Sequence, residues 1–120
     1  MRILCIDDEP DILQLMADFL ELMEIDVMTA DSGKQGLEIL LAENGNFDAV
    51  VTDMKMPHMS GLELLKEMRA IGLSTPVIMA SGQYDEDPDQ LSRQHNIAAI
   101  ITKPFTLANF KEVLDVVVGK

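Results

Sequence analysis

The chain has 120 residues, the usual size of one domain, and 48% of them are apolar, too many for a disordered polymer. Nine basic residues stand against 21 acidic ones, a formal charge of −12 that argues against direct contact with nucleic acid or an anionic membrane surface. A lone cysteine, Cys5, excludes an internal disulfide, and no apolar run approaches the length of a membrane span. Met1-Arg2-Ile3 leads straight into a strand pattern, and no signal peptide is expected. A cytoplasmic protein of one domain, residues 1–120, is expected.

The first element is a strand, Ile3-Leu4-Cys5-Ile6, whose continuous apolar run fits burial on both faces. Pro10 opens a helix with Ile12, Met16, Phe19, Leu20 and Met23 at helical spacing. Asp26 to Ala30 reads as the second strand. Ser32 with Gln35 has the form of a capping box, and the helix behind it carries Leu37, Leu40 and Leu41. The third strand is Asp48 to Asp53. Ser60 with Glu63 makes another capping box, for a helix expected to turn Leu64, Leu65, Met68 and Ile71 inward.

Pro76 to Ser81 is the fourth strand. Between Gly82 and Asn96 the signal is thin: Asp87-Pro88 suggests a cap, and only Leu91 is a clear apolar anchor. Ala98 to Thr102 is the fifth strand, and Thr106 caps a last helix with Leu107, Phe110, Val113, Leu114 and Val117. Alternating strands and helices predict an α/β fold, a doubly wound five-stranded parallel sheet in the order 2-1-3-4-5 with helices on both faces.

In such a sheet the site lies beyond the carboxyl ends of the strands, where the order reverses between strands 1 and 3. Strand 1 ends in Asp7-Asp8-Glu9 and strand 3 in Asp53. Clustered carboxylates suit a hard cation such as Mg²⁺, although one of the first three acids also has the chemistry of a helix cap. Asp53 has no capping duty, because Ser60 serves the next helix. Ser81 and Lys103 end strands 4 and 5 on the same edge, and a hydroxyl and an ammonium aimed at one carboxylate can receive a phosphoryl group.

These residues carry a resemblance over essentially the whole chain. Ile6-Asp7-Asp8-Glu9, Asp53 with Met56-Pro57 and Ser60-Gly61, Ala80-Ser81 and Lys103-Pro104-Phe105 resemble the receiver domains of response regulators, the CheY-like, flavodoxin-like class. The resemblance implies that Asp53 is phosphorylated, that Asp8 binds Mg²⁺ directly and Asp7 mainly through water, and that the Lys55 carbonyl adds a metal oxygen. It implies that Ser81 and Lys103 hold the phosphoryl group and that the Lys103–Pro104 peptide is cis.

The implied partners are a sensor histidine kinase or phosphotransfer protein, and a downstream effector whose binding changes with the strand 4–helix 4–strand 5 face. The chain would be a phosphoacceptor promoting only its own phosphorylation and dephosphorylation, not an enzyme acting on others. One departure is Ile100, where receivers usually carry an aromatic switch residue, and Tyr84 lies on the neighbouring segment. His58 and His95 are isolated and lack metal-site spacing. Met54, Met56 and Met59 offer either an adaptable docking surface or ordinary gap-filling. The rival readings are a degenerate receiver serving as a constitutive binding module, and an aspartyl-nucleophile phosphatase.

Overall fold

The computed structural model describes residues 1–82 and 97–119. Within them the order is β1 (Arg2–Ile6), α1 (Pro10–Leu22), β2 (Asp26–Ala30), α2 (Gly33–Ala42), β3 (Ala49–Asp53), α3 (Gly61–Ala70), β4 (Val77–Ser81), β5 (Ala99–Thr102) and α4 (Leu107–Val118). The helix expected between Gly82 and Asn96 lies outside the described residues, as do Tyr84 and His95. All strand pairs are parallel, in the order β2-β1-β3-β4-β5, as the alternation of elements predicts.

Successive strand residues face opposite sides, so a strand covered on both sides must be apolar throughout. In β1, Leu4 and Ile6 join one core cluster with Leu40, Val50, Leu64 and Met68, under α2 and α3. Ile3 and Cys5 join the other with Met16, Leu20, Phe110 and Leu114, under α1 and α4. Both clusters are fully lined; burying each large side chain stabilises the fold by about 1.5–3 kcal/mol.

The helix starts follow their local chemistry. Ser60 accepts the Glu63 N–H at 3.1 Å while Glu63 accepts the Ser60 N–H at 3.0 Å, a reciprocal box at the head of α3. Thr106 and Asn109 form the same arrangement for α4. Ser32 caps α2, but the Gln35 side chain accepts from the Asp31 N–H, one residue outside the cap, so this box is only half formed.

One further expectation changes, and one open alternative is decided. Ile71 is not turned inward: α3 ends at Ala70, and Ile71, as its C-cap, is 46% exposed. Of the two readings of the methionines, gap-filling holds for Met54 and Met56, which are buried in the cluster under α2 and α3, with Met59 packed at its edge.

Candidate functional site

Register brings the acidic strand ends level. Ile6 of β1 pairs with Thr52 of β3, so Asp7 and Asp53, the next residue along each strand, emerge side by side at the carboxyl edge. Asp53 pairs with Ala80, and Ser81 with Thr102, which puts Ser81 and Lys103 on the same edge. Asp7 then turns the chain into α1, its Oδ1 accepting the Glu9 N–H at 2.9 Å. Glu9 is the N-cap residue of α1, but its side chain makes no capping hydrogen bond. Helix capping therefore does not account for the three acids.

Lys103 is the centre of the site. Its Nζ lies 3.1 Å from Asp7 Oδ2 and 3.1 Å from Asp53 Oδ1, with Glu9 Oε1 at 3.9 Å. Its backbone N–H donates to the Ser81 carbonyl at 2.7 Å, and the following peptide to Pro104 is cis, as the resemblance implies. Beyond it, buried Phe105 stacks on Phe110 with centroids 5.5 Å apart and meets Phe19 edge-on at 6.2 Å. That aromatic anchor ties the end of β5 to α1 and α4 and limits how far the Lys103 backbone can drift.

Asp7, Asp8 and Asp53 each offer a carboxylate oxygen within 4.8 Å of the others, Asp7 and Asp53 buried and Asp8 exposed. Hard oxygen donors of this kind fit a small divalent cation. Burial acts most strongly on Asp53 and pushes its carboxyl above the usual range. Lys103 and the Lys55 N–H oppose the rise, Asp7 adds to it, and the balance stays upward. Burial alone would draw the Lys103 ammonium down, yet Asp53 and Asp7 outweigh it and leave the group raised, hence charged at neutral pH. The site is a buried cation–carboxylate network with excess negative charge.

The loop from β3 to α3 closes back on Asp53. Met54 N–H donates to the Ala80 carbonyl at 3.0 Å, and Gly61 N–H donates to the Met54 carbonyl at 2.9 Å. A Cβ at residue 61 would fall 2.5 Å from the Asp53 carbonyl oxygen and 2.8 Å from Met79 Sδ. Gly61 is needed for this close approach, which presses the head of α3 against the end of β3. His58 is exposed and sits at φ 68°, a left-handed turn residue rather than a member of the cluster. Lys55 is exposed at the rim, and Ile100 is half-buried in β5 against the core.

Of the expected site residues, the geometry brings together Asp7, Asp8, Asp53 and Lys103, and puts buried Ser81 on the same edge. Two neighbours carried no separate expectation. Glu9 belonged to the acidic run but was not paired with Lys103; Gly61 is a glycine in the first turn of a helix, where its low propensity asks for a steric reason.

The response regulator receiver domain family matches residues 3–115. The chain is 36% identical to the chemotaxis protein CheY-3 of Vibrio cholerae, covering 96% of this chain and 89% of that protein. It is 30% identical to the two-component response regulator ARR10 of Arabidopsis thaliana, matching all of this chain but only 22% of the plant protein. A response regulator receiver domain protein from Clostridium thermocellum superposes with a TM-score of 0.89 at 34% identity, over 98% of this chain and 94% of that one. The sheet order and the match along nearly the whole chain are those of a recognised family, and this chain belongs to the response regulator receiver domains of two-component signalling.

Proposed function

We propose that the chain accepts a phosphoryl group on Asp53 from the phosphohistidine of a sensor kinase or phosphotransfer protein. The observation that carries this reading is the placement of Lys103 Nζ 3.1 Å from both Asp53 and Asp7 beside a three-carboxylate cluster. An Asp53 oxygen forms the new P–O bond as the P–N bond of the donor breaks, and the leaving imidazole nitrogen takes the electron pair. Lys103 meets the negative charge of the equatorial phosphoryl oxygens, and Ser81 donates a hydrogen bond to one of them.

Asp8, Asp7, Asp53 and the Lys55 carbonyl would hold Mg²⁺, which when bound supplies charge neutralisation for the transferring group. On this reading the chain is a phosphoacceptor that promotes only its own phosphorylation and dephosphorylation. Phosphorylation adds up to about two charges at the carboxyl edge, and Ser81 and Lys103 carry that change into β4, β5 and the face around Ile100. An effector protein binding that face would read it.

The test is Mg²⁺-dependent labelling by a small acyl phosphate. Native protein should take up one phosphoryl group, and Asp53→Asn none. Failure of the native protein to label, with Mg²⁺ saturating, would return the chain to the constitutive binding-module reading.

A further inference from the structure

Among the described residues, Lys103 faces three carboxylates, and two of them belong to the cluster that suits a cation. Asp7 and Asp53 hold the ammonium at 3.1 Å, yet both are also members of the Asp7, Asp8, Asp53 group. A divalent ion in that group would draw on the same two carboxylates and repel the ammonium. Among the described residues Glu9 is the third carboxylate, 3.9 Å from Nζ, and it lies outside the cluster. Its side chain is 65% exposed and free of helix capping, while its backbone is pinned by the 2.9 Å bond from its N–H to Asp7. The residue is fixed at its root, and its carboxylate can follow the lysine.

We propose that Glu9 is a positioning residue for Lys103: it retains the ammonium over the crevice when Asp7 and Asp53 are committed to a cation. This rests on the phosphoacceptor reading for its purpose, though not for its geometry. A mostly solvated pair gives a modest effect, about two- to fivefold in a rate. Glu9 thus acts through Lys103 and touches neither metal nor phosphorus.

Lys103 can be followed directly in ¹³C-lysine-labelled protein through its Cε–Hε signals, assigned with Lys103→Arg. Without Mg²⁺ the signals of native protein and Glu9→Gln should match, because Asp7 and Asp53 hold the lysine in both. With saturating Mg²⁺ the native signal should stay in its ordered position, whereas that of Glu9→Gln should move toward free-lysine values. Glu9→Asp, which keeps the charge, should behave as native protein does. Labelling of Glu9→Gln by an acyl phosphate at saturating Mg²⁺ should fall about two- to fivefold, and the variant should add nothing in a Lys103→Gln background.

An unchanged Lys103 signal in Mg²⁺-saturated Glu9→Gln would overturn the proposal. So would a weakened Mg²⁺ affinity that accounts for the whole loss of rate, since Glu9 would then act on the cation. Absence of labelling in native protein would strike the phosphoacceptor reading alone, leaving the Lys103 signals to decide the role of Glu9.

Discussion

Replacing Asp53 by Asn should stabilise the cation-free protein while abolishing its response to Mg²⁺. At an effective dielectric of about 20, Lys103 at 3.1 Å attracts the Asp53 carboxylate by about 5 kcal/mol. Asp7, within 4.8 Å, repels it by about 3.5 kcal/mol or more. Asp8 is exposed, and solvent reduces its repulsion to about 1 kcal/mol. These opposing effects nearly cancel, so the desolvation of a residue only 7% exposed decides the sign, and charging Asp53 costs the folded state free energy.

Asn keeps the shape and removes the charge, and Lys103 keeps Asp7 at 3.1 Å, so no buried ammonium is orphaned. A higher melting temperature is therefore expected for the variant, each 1 kcal/mol of gain reading as about 4 °C. Mg²⁺ at ten times its dissociation constant should add about 1.4 kcal/mol to native protein and little to the variant. The pH dependence has a definite sign. Because the folded carboxyl of Asp53 titrates above its ordinary value of 3.8, native protein recovers stability as pH falls from neutral through that raised value, and the gap to the variant closes. Thermal unfolding followed by circular dichroism, in chelator and in Mg²⁺, measures all three effects. A variant that melts below native protein in chelator, or that gains equally from Mg²⁺, would refute the electrostatic account.

Two other perturbations test the packing around the site. Gly61→Ala gains helix propensity, yet its Cβ would meet the Asp53 carbonyl oxygen at 2.5 Å, so a loss of about 1–3 kcal/mol is expected in urea unfolding. A midpoint at or above the native one would show that the approach is not tight. The Cys5 thiol is pushed up to about 12 by burial, with a smaller push from Asp7, so an aromatic disulfide reagent should label it only at the rate of unfolding. Rapid labelling of native protein would contradict the buried position of β1.

The fold was legible because doubly covered strands cannot hide: Ile3 to Ile6 and Val77 to Ala80 are apolar without interruption, and Ser60 and Thr106 announce their helices by bonds that span three residues. Ile71 misled because a periodic apolar residue at a helix end has the same spacing whether the helix includes it or stops before it. Gln35 can reach either the Ser32 or the Asp31 N–H, and only the local backbone decides between them. The convergence of Asp7, Asp8, Asp53 and Lys103 followed from strand order alone. The spacing between Glu9 and Lys103 did not, since it depends on two long side chains meeting across a loop 94 residues apart in sequence. The need for glycine at 61 is a matter of what lies opposite it, which no local pattern encodes.

Strands that are oily on both sides forgo the usual safeguard against slippage, because a shift by one position exchanges one greasy face for another instead of exposing it to water. Alignment must then come from shape: a side chain at Gly36 would collide with Ile6, and one at Gly61 with the end of β3. A slip of a single residue in β3 would carry Asp53 about 3.3 Å along the strand, more than the 3.1 Å that now separates it from Lys103. Two missing methyl groups, neither of them in the crevice, thus help to keep its charges in step.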